Sequence, residues 1–141
     1  MTVLFLKSQL QAMKKILLID DDVTYHLILQ KCLPDCMVTY VTNRADFFTS
    51  LATTDYDLVL VDIELNQGYT GFELVKEIYY ESGDFKFPFV AFSASDLHES
   101  NHNLVTNGFL GFIPKSGKLA EMVTRVNLYL NQHNQAPVLL A

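Results

Sequence analysis

Four short apolar runs punctuate the chain, and each one leads into a polar residue. Ile16-Leu17-Leu18-Ile19 precedes Asp20-Asp21-Asp22, and Leu58-Val59-Leu60-Val61 precedes Asp62. Phe89-Val90-Ala91-Phe92 precedes Ser93, and the run 109–113 precedes Pro114-Lys115. Runs this short, with no polar alternation, fit strands buried on both faces of a helix-covered parallel sheet. The stretch 37–41 alternates more and predicts a strand at an edge. Helical patterns fill the intervals. Residues 23–33 place Leu27, Ile28 and Leu29 near one stripe and stop before Pro34. Residues 44–51 follow Asn43, a suitable N-cap. Residues 72–80 carry Phe72, Val75, Ile78 and Tyr79 at helical spacing and end before Gly83. Residues 97–106 end at Asn107-Gly108, and residues 119–130 set Met122, Val123, Val126 and Leu130 on one side. Strand and helix alternate five times along the chain, so the expected fold is α/β. The expected architecture is a doubly wound five-stranded parallel sheet with helices on both faces and right-handed crossovers.

Composition narrows the class. At 141 residues the chain has the length of one domain, and 50% hydrophobic content excludes disorder as its dominant state. The net charge of −6 argues against nucleic acid or an anionic membrane as partner. The run Val3-Leu4-Phe5-Leu6 is too short for a membrane span and lacks the basic leader of a signal peptide, so a cytoplasmic location is expected. Cys32 and Cys36 are too few for a disulfide framework and read as small thiols in a reducing compartment. No internal repeat or low-complexity linker interrupts the pattern. The expected organisation is an N-terminal extension at 1–12, a domain at 13–131 and a tail at 132–141.

Strands of a parallel sheet all point one way, so the polar residues that end them gather along one edge, where such sheets bind ligands. Asp20, Asp21, Asp62, Ser93 and Lys115 should therefore share a crevice. Any one of them has a bland explanation as a cap or turn residue, but capping alone does not account for all four strand ends being polar. Two carboxylates about 5 Å apart repel by about 3 kcal/mol at an effective dielectric near 20. Three need a cation or a shared proton. Oxygen ligands, few in number, suit Mg²⁺ better than Ca²⁺. An ion with open positions beside Lys115 and Ser93 can hold phosphate oxygens while a free carboxylate attacks phosphorus. The residues thus point to phosphoryl transfer onto an aspartate.

At these positions the chain resembles the receiver domains of two-component response regulators over about residues 14–130. The acidic pair after the first strand matches Asp20 and Asp21, and the phosphoacceptor matches Asp62. The hydroxyl residue after the fourth strand matches Ser93, and the lysine after the fifth matches Lys115. The resemblance implies a flavodoxin-like sheet of order 2-1-3-4-5. It also implies phosphoryl transfer to Asp62 from a phosphohistidine of a sensor histidine kinase or phosphotransfer protein. Asp21, Asp62 and the main-chain carbonyl of Glu64 would ligate Mg²⁺, with Asp20 acting through water. A downstream protein would be met through the face formed by the fourth helix, fifth strand and fifth helix, including the switching aromatic at Phe112. Glu64 and Ser95 would flank the path of hydrolytic water. The chain departs from the family in the longer loop 63–71, in Ser116 where proline is usual after a cis bond, and in Phe112, which has no hydroxyl.

Three rivals remain on the sequence. Asp20-x-Asp22-Val23-Thr24 also fits the opening of haloacid-dehalogenase-type phosphatases, but the later acidic motif is represented only by Glu121. His98-Glu99-Ser100-Asn101-His102 has the zinc-peptidase spacing in a short polar context that better fits a solvated helix face. His26 and His133 read as ordinary histidines. A phosphorylation-independent binding module of the same fold is the third rival, favoured by the altered loop, Ser116 and the aromatic set Phe85, Phe87, Phe89, Phe92, Phe109 and Phe112. The expectation is a stand-alone receiver: either the protein acts by binding, or the chain is an excised piece of a longer one.

Overall fold

The computed structural model describes residues 13–82, 87–94 and 101–132. Five strands, β1 (Lys14–Ile19), β2 (Cys36–Val41), β3 (Leu58–Asp62), β4 (Phe89–Ser93) and β5 (Phe109–Pro114), form one sheet in the order β2-β1-β3-β4-β5. Every neighbouring pair is parallel. Between and after the strands run α1 (Thr24–Cys32), α2 (Arg44–Thr53), α3 (Gly71–Ser82), α4 (Asn101–Thr106) and α5 (Leu119–Asn131). This is the doubly wound α/β architecture that the alternation of runs predicts. No helix among the described residues is long and apolar enough to cross a membrane.

The side-chain alternation of each strand divides the core in two. Leu17, Ile19, Val59, Val61, Phe89 and Ala91 face α2, α3 and α4, packing on Phe47, Leu51, Leu74, Val75, Ile78 and Leu104. Ile16, Leu18, Leu58, Leu60, Val90 and Phe92 face α1 and α5, packing on Leu29, Leu33, Met122, Val126, Tyr129 and Leu130. With helices on both sides, β3 and β4 are buried at every position, which is why their sequences show no polar alternation. Edge strand β2 keeps its alternation, with Met37 and Thr39 exposed. In β5 the pairing with β4 shifts, Phe89 facing Phe109 but Val90 facing Gly111. The extra residue lets Phe109 and Phe112 turn to the same side of the sheet.

Local chemistry sets the helix starts. Asn43 accepts a hydrogen bond from the Asp46 N–H at 2.9 Å and donates to the Asp46 carboxylate at 3.0 Å, closing both ends of a cap on α2. The Thr70 hydroxyl accepts from the Glu73 N–H at 3.2 Å at the start of α3. The expected stripe on α1 is narrower than its sequence suggests: Leu29 is buried, whereas Leu27 is 61% exposed. On α3 the buried set is Leu74, Val75 and Ile78, with Tyr79 40% exposed. On α5, Tyr129 joins Met122, Val126 and Leu130 in the core. No cis peptide bond occurs among the described residues, so the bond before Ser116 is trans. Residues 1–12, the tail beyond Gln132, Phe85, Ser95, His133 and the side chains of the motif 98–102 lie outside the described residues.

Candidate functional site

The carboxyl edge of the sheet collects the side chains that the strand ends predict. Backbone pairing of β1 continues one residue past its end, the Asp20 N–H donating to the Val41 carbonyl at 3.3 Å, and this places Asp20 inside the crevice with no exposed surface. Asp62 ends β3 at 3% exposure, and Ser93 ends β4 fully buried. The Lys115 N–H donates to the Ser93 carbonyl at 2.8 Å, so the lysine leaves β5 directly beside the end of β4. From there its Nζ lies 2.7 Å from Asp20 Oδ2 and 3.4 Å from Asp62 Oδ2. Asp21 stands at the mouth, exposed. One carboxylate oxygen each from Asp20, Asp21 and Asp62 fall within 4.8 Å of one another.

Two turns hold these acids in place. Asp20 Oδ1 accepts from the Asp22 N–H at 3.0 Å, and Asp62 Oδ1 accepts from the Glu64 N–H at 3.0 Å. Each carboxylate thereby closes a turn of its own and keeps Oδ2 toward Lys115. Asp22 belongs to the surface. Its Oδ1 accepts from the Thr24 N–H at 2.9 Å and the Thr24 hydroxyl at 2.7 Å, bonds that hold its carboxyl below the usual range. It lies outside the acidic trio, with Oδ1 turned to Thr24. Glu64 gives its N–H to Asp62, while its side chain is exposed and outside the trio.

The charges in the crevice are strongly interdependent. Burial pushes the Asp62 carboxyl up to about 7, and the Asp20 charge adds to the shift, while Lys115 and the Glu64 N–H oppose it. Burial alone would lower the Lys115 ammonium, but its hydrogen bond and charge pairing with Asp20, then Asp62, outweigh that and raise it. One amine faces two buried carboxylates and a third at the mouth, so the site holds an excess of anion in a partly desolvated space. Oxygen donors at this spacing, with one side open, suit a small hard dication that keeps some of its water. The residues present therefore fit Mg²⁺.

Sequence reasoning misses three neighbours of this cluster. Tyr25 on α1 and Phe92 on β4 flank the lysine, whose Nζ lies 4.7 Å from the first ring centre and 5.3 Å from the second. Asn66, in the loop between β3 and α3, donates from Nδ2 to Asp21 Oδ2 at 3.0 Å. The loop is itself tied down. The Tyr69 hydroxyl donates to Gln67 Oε1 at 2.6 Å and accepts from the Arg44 N–H at 3.0 Å, and Gln67 Nε2 donates to the Thr42 carbonyl. Asn66 and Gly68 adopt positive φ, 53° and 84°, which the Asn-Gln-Gly sequence signals as a turn without showing where it points. Phe112 is 6% exposed and packs in the core, so it does not itself present a surface to a partner. His26 contacts the Val38 carbonyl at 3.2 Å and stacks on Tyr40, an ordinary structural role.

The site can be compared with known proteins. The family model described as the response regulator receiver domain matches residues 16–127. Among solved structures, the chain is similar to a two-component response regulator from Clostridium difficile, with 22% identity and a TM-score of 0.72, over 86% of this chain and 99% of that one. It is similar at 17% identity and a TM-score of 0.71 to a CheY-like receiver domain protein from Methanospirillum hungatei, over 86% of this chain and 96% of that one. The chemotaxis response regulator CheY4 of Vibrio cholerae matches at 18% identity with a TM-score of 0.71, covering 83% of this chain and 98% of that one. Among curated proteins none matches the sequence.

Proposed function

Because the chain belongs to the response regulator receiver domain family, we propose that it accepts a phosphoryl group on Asp62 and thereby changes its affinity for a protein partner. The observation that carries this reading is the meeting of Asp20, Asp21 and Asp62 within 4.8 Å, with Lys115 Nζ paired to two of them. A carboxylate oxygen of Asp62 attacks the phosphorus of a phosphohistidine on a sensor histidine kinase or phosphotransfer protein. A P–O bond forms as the P–N bond breaks, and the imidazole nitrogen keeps the electron pair. Asp21 and Asp62, with the Glu64 carbonyl, would hold Mg²⁺, and Asp20 would act on it through water. When bound, the ion supplies the positive charge that lets phosphoryl oxygens enter an anionic pocket.

The chain's own groups do the rest. Lys115 holds its charge beside Asp62, where a phosphoryl oxygen would otherwise meet only anions. Ser93 offers a hydroxyl at the end of the adjacent strand. After transfer, an inward shift of Ser93 lets the Phe112 ring, already in the core beside Phe109, repack, and the face around the fourth helix, fifth strand and fifth helix changes its fit to a downstream protein. A few kcal/mol of differential interaction suffices for such a shift, within reach of a new dianion contacting Lys115 and Ser93.

Intact-mass measurement after incubation with acetyl phosphate and Mg²⁺ tests the proposal. The wild-type chain should gain one phosphoryl group, Asp62→Asn should gain none, and Asp22→Asn should retain most of the gain. Lys115→Ala should still bind Mg²⁺ but transmit a weaker change in partner affinity. A wild-type chain that never gains mass would leave a binding module without phosphorylation as the better reading.

A further inference from the structure

Lys115 is held in place from two sides. Its carboxylate partners lie at 2.7 and 3.4 Å, and the rings of Tyr25 and Phe92 lie at 4.7 and 5.3 Å from Nζ. The two rings meet edge to face, 5.2 Å apart with their planes at 89°, so they form a right-angled corner with the ammonium in its angle. Ring faces attract a cation and exclude the water that would otherwise surround it, and the lysine side chain is 9% exposed. A lysine has a flexible four-carbon stem, so without a wall its amine would sample many positions. Phe92 is fixed within β4 and fully buried, whereas Tyr25 is only half-buried, near the start of α1. Tyr25 is therefore the more exposed side of the corner.

The geometry points to Tyr25 as a positioning residue for phosphoryl transfer, its ring pressing the Lys115 amine against Asp20 and Asp62 so that the charge is already in place when a phosphoryl group arrives. This rests on the reading of Asp62 as phosphoacceptor. The role belongs to the ring and not to the hydroxyl, because the contact is made by the ring face. The amine, once held, needs no rearrangement at the moment of reaction, so its loss should lower the rate of the step more than the affinity for the donor.

The test uses the full chain, acetyl phosphate and Mg²⁺, with Tyr25→Leu, which keeps an apolar group at a half-buried position, and Tyr25→Phe, which keeps the ring. Tyr25→Leu should lower the maximal phosphorylation rate about fivefold at an unchanged half-saturating donor concentration, and Tyr25→Phe should stay within about twofold of wild type. Proton NMR of the Lys115 ε-methylene group gives a second reading that needs no phosphorylation. The ring-current shift to high field should be present in wild type and Tyr25→Phe and diminished in Tyr25→Leu. Wild-type rates in Tyr25→Leu, or a Tyr25→Phe variant as slow as Tyr25→Leu, would overturn the inference, as would an ε-methylene signal indifferent to the ring. Failure of wild-type labelling would count against Asp62 as acceptor alone, since the NMR comparison would still decide whether Tyr25 holds the amine.

Discussion

Asp62 carries two requirements that conflict at the scale of a single residue. It must be reachable by a phosphorus atom, yet it sits 3% exposed beside another buried carboxylate, and its carboxyl is pushed up to about 7. The unfolded chain releases that proton near the ordinary value of 3.8. Between about pH 4 and pH 7 the folded chain therefore binds more protons than the unfolded one, and stability falls as pH rises through that window. The raised Lys115 ammonium contributes nothing to this window, because both its folded and unfolded forms are charged there. Urea unfolding in metal-free buffer should show a loss on the order of 2 kcal/mol from pH 4.5 to pH 7.5, and Asp62→Asn should flatten it. Mg²⁺ should reverse the sign of the argument by pairing the anion. Its stabilisation of the fold, read as a rise in melting temperature, should be larger at pH 8 than at pH 5.5. A metal effect independent of pH would show that the ion binds away from Asp62.

Two elements depend on close fits that a reader of sequence would not assign. The Tyr129 hydroxyl on α5 occupies the space in front of Gly111 on β5, and a Cβ there would lie 2.1 Å from it. Gly111→Ala should cost about 1–3 kcal/mol in denaturant unfolding through overpacking. The double variant with Tyr129→Phe should recover part of that loss, since removing the hydroxyl opens the space; strict additivity would show that the two do not share it. The β3–α3 connection is fixed by another set of contacts, in which the Tyr69 hydroxyl bridges Gln67 and the start of α2. Tyr69→Phe should cost about 1 kcal/mol, and faster hydrogen exchange should be confined to the amides of 64–70 and Arg44. Exchange that quickens evenly over the chain would assign Tyr69 to global stability instead.

The whole molecule was legible in sequence to the extent that periodicity and strand polarity decide it. The apolar runs of β1, β3, β4 and β5 marked buried strands because helices cover both faces, and their polar ends marked one edge because parallel strands share a direction. That reasoning brings Asp20, Asp21, Asp62, Ser93 and Lys115 to one place, as found. It could not separate Leu27 from Leu29 on α1, since a nine-residue helix against a sheet buries a narrower stripe than its apolar residues offer. Nor could it find Tyr25, Phe92 or Asn66, whose contacts with the site are fixed by packing between elements distant in sequence. Phe112 shows the same limit from the other side. Motif position marks it as a switch, but only the shift in the β4–β5 pairing explains why its ring enters the core beside Phe109. Phe112→Ala should therefore cost about 3–5 kcal/mol as a cavity in the core, measured by denaturant unfolding.

Asn66 gives the loop after Asp62 a stake in what enters the crevice. Its amide already occupies a lone pair on Asp21, the outermost acid. A dication arriving from solvent can take the other oxygen of Asp21 and leave this bond intact, or take Oδ2 and evict the amide, which would loosen a strap that Tyr69 and Gln67 anchor at its far end. Where the ion takes Oδ2, its arrival is felt along the backbone of 64–70 ahead of any chemistry on phosphorus.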